Sequence, residues 1–180
     1  MSINSLINLI KYNAKQLARE KGVKLSSAQE LLAKQHGFSD FHELTTVSVR
    51  NIRDVRLASA AVGDTLDTGV LFESIEIVLE EAMSPEVALT NAVDFTIENL
   101  EVQSSKYDVA AEILIVEAFI HYAGEQDSER VVHATSFNID AIFKFKIAGV
   151  NLILTDDEPI TVVGSLSDSD LDHIEQIAAN

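Results

Sequence analysis

The chain reads as an α+β protein, a small N-terminal helical module followed by an antiparallel β-sheet domain with flanking helices, and three observations say so. Apolar residues recur at helical spacing from Ile3 through Leu44. From Tyr107 to Ile147 they alternate instead, in two long runs with the period of a half-buried strand. The charge also changes sign along the chain. Residues 1–58 hold nine of the thirteen basic residues against five acids, which leaves four basic residues and 24 acids for the rest of a chain with a formal net charge of −16. Such asymmetry separates a basic helical module, 1–58, from an acidic α+β domain, 70–180, with 59–69 as the linker.

In order, Ile3 to Arg19 predicts an amphipathic helix with Ile3, Leu6, Ile7, Ile10, Ala14, Leu17 and Ala18 inward and Lys11, Lys15 and Arg19 as a basic stripe at i, i+4 and i+8. Gly22 ends it. Ser26 or Ser27 opens a second helix, since Ser26-x-x-Gln29 and Ser27-x-x-Glu30 both fit a capping box, with Leu31 and Leu32 buried and Gly37 closing it. Ser39 then caps a third, which points Phe38, Phe41 and Leu44 inward.

The segments Ala14-Lys15-Gln16-Leu17, Gly22-Val23-Lys24-Leu25-Ser26 and Gln29 through Phe41, with Gly37-Phe38-Ser39-Asp40 at their centre, resemble a short helical module of bacterial glyoxalase-related proteins. The likeness covers residues 14–44 and consists of helix caps, leucines and one Gly-Phe turn. It implies a local shape, and it brings a glyoxalase-like metalloenzyme into the list of functions to weigh.

Residues 46–69 read as a linker that includes a short helical piece, because Arg50, Arg53 and Arg56 recur every three residues. Val70 to Ala82 fits a helix through Leu71, Ile75, Val78 and Ala82, with a strand left open by its β-branched content. Ser84-Pro85-Glu86 looks like an N-cap, a proline at the first helical position and a first-turn acid, which opens a helix toward Ala92. Phe95 to Gln103 alternates weakly, as a strand does. Two short strands, Val150 to Leu154 and Ile160 to Gly164, flank a turn at Thr155–Pro159, and Ser167 or Ser169 caps a last helix.

The long hairpin is the spine of the second domain. Its first strand carries Ala110, Leu114, Val116, Ala118, Ile120 and Tyr122 on one face and Ile113, Ile115 and Phe119 on the other, so it is expected to be covered on both sides. Gly124 to Arg130 forms the connecting loop. From Val131 the odd positions face the core, and Lys144 and Lys146 face water. Ile120 opposite His133 makes the apolar faces coincide, because a slip of one residue would turn every side chain over.

The chemistry is bounded as much by what is missing. There is no cysteine, hence no disulfide, thiolate metal site or cysteine nucleophile, which fits a cytoplasmic protein. No apolar run reaches the roughly 18 residues of a membrane span, because Glu112, Glu117 and His121 interrupt the best candidate. No phosphate-binding glycine loop, Gly-x-Ser-x-Gly elbow or His-Glu-x-x-His occurs, so no cofactor is called for and a non-enzymatic role is favoured. Asp168-x-Asp170-x-Asp172 imitates the start of a calcium loop but has His173 where glycine and Ala179 where glutamate belong, so these acids are read as complementing a helix N-terminus. Glu117, His121 and His133 form the one histidine and carboxylate cluster the hairpin offers, but the expected register sends the two histidines to opposite faces and no metal site is assigned. His36 and His42 are capping or surface residues.

Three functions follow. The first is an interaction protein whose acidic domain binds a basic protein partner, with carboxylates that imitate nucleic acid; Glu125, Asp127, Glu129, Asp156, Asp157 and Glu158 are its candidate contacts. The second is a nucleic-acid accessory protein that touches phosphate through Lys11, Lys15 and Arg19. The third is the glyoxalase-like enzyme.

Overall fold

The computed structural model describes residues 4–63, 66, 69–90, 92–126 and 135–171. It is an α+β fold, with helices first and an antiparallel sheet after them. The chain divides into two compact units. The first is Met1–Leu66 with Ser104–Val116 and Lys144–Thr155; the second is Asp67–Gln103 with Glu117–Phe143 and Asp156–Asn180.

In the first unit α1 (Asn4–Glu20) buries Leu6, Leu9, Ile10 and Ala14, and Gly22 at φ 62° ends it while Val23 N–H reaches the Ala18 carbonyl at 3.0 Å. α2 (Leu25–Gln35) starts earlier than the serines predict. Lys24 holds the N-cap position without a side-chain bond, and neither Ser26 nor Ser27 caps. Leu32, Ala28 and Ala33 are buried, while Leu31 is exposed. For α3 (Phe41–Arg50) the cap is Asp40 instead of Ser39: Asp40 accepts the Glu43 N–H at 2.6 Å, and the Glu43 carboxylate accepts the Ser39 N–H at 2.7 Å. A carboxylate outcompetes the neighbouring hydroxyl as the acceptor facing bare helical N–H groups.

Residues 59–62, expected in the linker, are the end of α4 (Val55–Val62), where Ala60, Ala61 and Val62 are buried. The three arginines do not share a helix. Arg50 ends α3, Arg53 lies in the turn, and Arg56 enters α4.

Arg56 explains the Gly-Phe turn. Its guanidinium lies 4.3 Å from the centre of the Phe38 ring, donates to the Gly37 carbonyl at 3.0 Å, and pairs with Asp54 at 2.9 Å and Glu43 at 3.4 Å. The hydrogen bond from Arg56 holds the Asp54 carboxyl below its ordinary range; for Glu43 the Ser39 backbone N–H does most of this and Arg56 less. A depressed carboxyl stabilises the fold above its unfolded pKa, and that contribution is lost as pH falls through the folded value. Arg56→Ala should therefore lower the melting temperature at pH 7, and the gap to the parent should narrow below about pH 4, where carboxyls protonate. Thermal melts from pH 7 to 3 check it; a gap that did not change with pH would assign the loss to the Phe38 ring and the Gly37 carbonyl.

In the second unit α5 (Gly69–Val87) settles residues 70–82 as helix and buries Ile75, Leu79 and Met83 at i, i+4 and i+8. Ser84-Pro85-Glu86 does not open a new helix. It is the last turn of α5, because the buried stripe runs through Met83 and only one donor is lost at Pro85.

The sheet runs β1 (Ala92–Asp108), β2 (Ile113–Gln126), β3 (Ser136–Ala148), β4 (Asn151–Leu154), with β5 (Ile160–Ser167) also paired to β3. Tyr107 and Asp108 belong to β1, and Val109–Glu112 is the β1–β2 turn. Asp108 accepts the N–H groups of Ala110 and Ala111 at 2.9 and 3.1 Å, and Glu112 takes φ 56°. The parity of the β2–β3 pairing is as expected but the register is not. Gly124 N–H bonds the Thr135 carbonyl at 2.9 Å, which sets Ile120 opposite Ile139, six positions beyond His133, itself outside the described residues. Leu114, Val116, Ala118, Ile120 and Tyr122 face Phe137, Ile139, Ala141, Phe143 and Phe145, all buried. The opposite face is more open than expected: Ile113, Ile115 and Phe119 are half-buried.

Candidate functional site

The basic stripe lies as predicted on one side of α1. Lys11, Lys15 and Arg19 are exposed, and Arg19 also donates to Gln16 at 3.1 Å. Of the six acids proposed as partner contacts, the four that are described do not gather. Glu125 is exposed at the end of β2, and Asp127 and Glu129 lie outside the described residues. Asp156, Asp157 and Glu158 loop out where the edge of β3 passes from one partner strand to the next: Thr155 N–H bonds the Lys144 carbonyl at 3.0 Å, and Ile160 sits opposite Phe143. Gly124 is opposite Thr135, eight residues along β3 from Phe143, so Glu125 and the Asp156–Glu158 loop stand about 26 Å apart at 3.3 Å per residue.

The other candidates have structural employment. His121 Nδ1 contacts Asn138 Oδ1 at 3.0 Å, and its Nε2 lies 3.4 Å from Glu98 Oε2. Asp168 accepts the Thr135 N–H at 3.0 Å and its hydroxyl at 3.0 Å, which ties the start of β3 to the start of the last helix. Asp170 and Ser167 form a reciprocal cap, with Ser167 Oγ donating to Asp170 at 2.7 Å and accepting the Asp170 N–H at 3.2 Å. Asp172 and His173 lie outside the described residues. Among those described, no three histidine, aspartate or glutamate side chains are placed to hold a metal ion, and no helix is long and apolar enough to cross a membrane.

Charge separates by folded unit as far as it does by sequence. Of the four basic residues after position 58, Lys106, Lys144 and Lys146 fall in the first unit and only Arg130 in the second. The second unit holds nine acids in Asp67–Gln103, five in Glu117–Phe143 and seven in Asp156–Asn180, so its formal charge is −20 while the first unit is +4. Between Arg56 and Lys106 there are ten acids and no lysine or arginine at all.

That uninterrupted acidic stretch ends in β1, and this is the surface the sequence reading missed. β1 pairs only with β2, so one of its edges is unpaired among the described strands. Val93, Thr96, Glu98, Asn99, Glu101, Val102 and Gln103 are exposed. Phe95 turns inward against Tyr122 at 5.2 Å and Phe137 at 5.8 Å, and Glu98 points to the opposite face beside His121. Asp94 interrupts the strand at φ 54°, a conformation aspartate tolerates better than most residues. The edge therefore offers backbone donors and acceptors between Asp94, Glu98 and Glu101. The gap in lysine and arginine from 57 to 105 was the signal available in the sequence.

A cleft of about 300 Å³ lies elsewhere in this unit, lined by Glu86, Leu89, Thr90, Phe137, Ser165 and Ser167 among others. Two of its hydroxyls are committed, Thr90 to the Val87 carbonyl at 2.8 Å and Ser167 to Asp170.

Comparison with family models, with curated proteins and with solved structures finds no match to this chain.

Proposed function

We propose that this chain is a non-enzymatic interaction protein whose acidic unit binds a basic protein partner. The observation that carries the reading is the composition of the second unit, 21 acids against the single Arg130. Solubility alone asks for a net charge of magnitude about 2–8 on a small domain, and this unit far exceeds it at a cost in self-repulsion. A field of that size repels nucleic acid and speeds encounter with a positively charged surface. The lack of cysteine fits action in the cytoplasm. We read residues 14–44 as sharing the local shape of the glyoxalase-related module without its chemistry.

One observation favours a second reading, the exposed row of Lys11, Lys15 and Arg19 on α1, which suits phosphate contacts. The two readings part under salt. Full-length protein should capture a basic protein from source lysate, with an association rate that falls as salt rises from about 50 to 200 mM, and should not retain duplex DNA over that range. Tight DNA binding that vanished in a Lys11→Ala, Lys15→Ala, Arg19→Ala triple variant would put the nucleic-acid reading first.

A further inference from the structure

The geometry points to the edge of β1 that is unpaired among the described strands, residues 95–103, as the place where the basic partner binds, by adding an extended lysine- or arginine-rich segment to the sheet as a further strand. The inference rests on the proposed function and names its site and mode.

A strand at a sheet edge presents a row of unpaired N–H and C=O groups, and proteins guard such rows with prolines, inward charges, bulges or a short strand. β1 is 17 residues long and contains no proline, and its one non-glycine residue at positive φ, Asp94, lies outside 95–103. Nine residues of it span about 30 Å at roughly 3.4 Å each, the length of a typical added strand. Its side chains decide which strand can add. Asp94, Glu98 and Glu101 stand along the edge, and no cation lies within β1 before Lys106. Like charges directly opposite one another across a strand pair are unfavourable and unlike charges are favourable.

A second copy of this chain is therefore a poor occupant. Pairing β1 with β1 would set acid against acid and bring together two units of formal charge −20. The acids that close the edge to this chain itself open it to an extended segment rich in lysine or arginine, whose cations would sit against them while its backbone completes the ladder. Main-chain bonds supply affinity in this mode and side chains supply selection.

The test uses full-length protein and three nine-residue peptides. One carries lysines on both faces of its strand among valines and threonines, one has glutamate at the lysine positions, and one keeps the lysines but has proline at alternate other positions. Binding is measured by titration, and hydrogen exchange is followed at the amides of residues 95–103. The lysine peptide should bind and slow exchange at alternate amides of that segment by tenfold or more. The glutamate peptide should do neither, and the proline peptide should lose the protection. Combined Asp94→Asn, Glu98→Gln and Glu101→Gln, with an unchanged melt, should weaken the lysine peptide at least tenfold.

If the lysine peptide bound with no change in exchange at 95–103 and bound the triple variant equally well, the edge would be ruled out while the acidic unit still bound cations. If no basic peptide or protein bound anywhere, the proposed function would fall together with the edge.

Discussion

Asn13→Asp should destabilise the protein by about 3 kcal/mol or more at pH 7, although it exchanges one atom group for another of the same size. Asn13 is 7% exposed on α1, and its Nδ2 donates to the carbonyls of Ala61 at 2.8 Å and Ala60 at 3.3 Å. Those are carbonyls at the end of α4, which have no partner within their own helix. Gly63 at φ 52° lets the chain leave there, and a Cβ on Gly63 would sit 3.2 Å from the same Nδ2. Asn13 thus supplies in side-chain form the donor that α4 lacks. An ionised aspartate has no donor and faces two carbonyl oxygens from a buried position, so both bonds are lost and a charge is stranded. Protonation restores one donor, which raises the folded pKa of the introduced carboxyl above its unfolded value of about 3.9. Stability of the variant is therefore best below that value and falls as pH rises through it toward the raised folded pKa. Asn13→Leu, which has no charge, should lose about 1–3 kcal/mol independently of pH. Melting both variants against the parent from pH 3 to 7 separates the cases; parallel curves for the two would show that charge plays no part.

Much of this architecture was legible because burial follows period. The α1 stripe, the alternation of β2 and β3 and the parity of their pairing follow from side chains that must share one dry face. The caps were less legible because neighbouring serines and aspartates satisfy the same rule. Only the fold selects Asp40 over Ser39, and starts α2 ahead of both Ser26 and Ser27. Ser84-Pro85-Glu86 carries a correct local signal for a helix start, and packing of Met83 overrode it. The β2–β3 register slipped by six because Gly124 looked like a turn.

The candidate site was legible only in bulk. Net charge by segment points to an acidic domain, but within it the loops stand out because their charges are contiguous in sequence. The acids of β1 are spaced by three and four residues and make no run, so nothing local distinguishes them. What singles them out is the unpaired edge, which is a property of strand order. The charge of each unit was legible, since Lys106, Lys144 and Lys146 leave the acidic unit together with Asp64, Asp108 and Glu112, and the net of −20 stays.

Gly124 is where that lesson becomes a measurement, because its glycine serves a strand instead of a turn. It lies within β2, gives its N–H to Thr135, and a Cβ there would stand 2.7 Å from two carbons of the Phe95 ring and 2.8 Å from the Val93 carbonyl oxygen. Real contacts of that kind do not come so close, so something must move. The Phe95 ring is held between Tyr122 at 5.2 Å and Phe137 at 5.8 Å, and the Val93 oxygen is backbone. An aromatic ring laid over a glycine of the neighbouring strand is a way to fill the gap the missing side chain leaves. Gly124→Ala should cost about 2–3 kcal/mol, the range for forcing one extra carbon into a packed site. Phe95→Ala alone should cost about 3 kcal/mol through the cavity it opens. Made together, the two should cost clearly less than their sum, since the alanine methyl then enters space the ring has vacated; the residue of the cost belongs to the Val93 oxygen. Chemical denaturation of the four proteins in this cycle gives the coupling. Simple additivity would mean that the ring does not constrain Gly124, and that the glycine is required by the backbone alone.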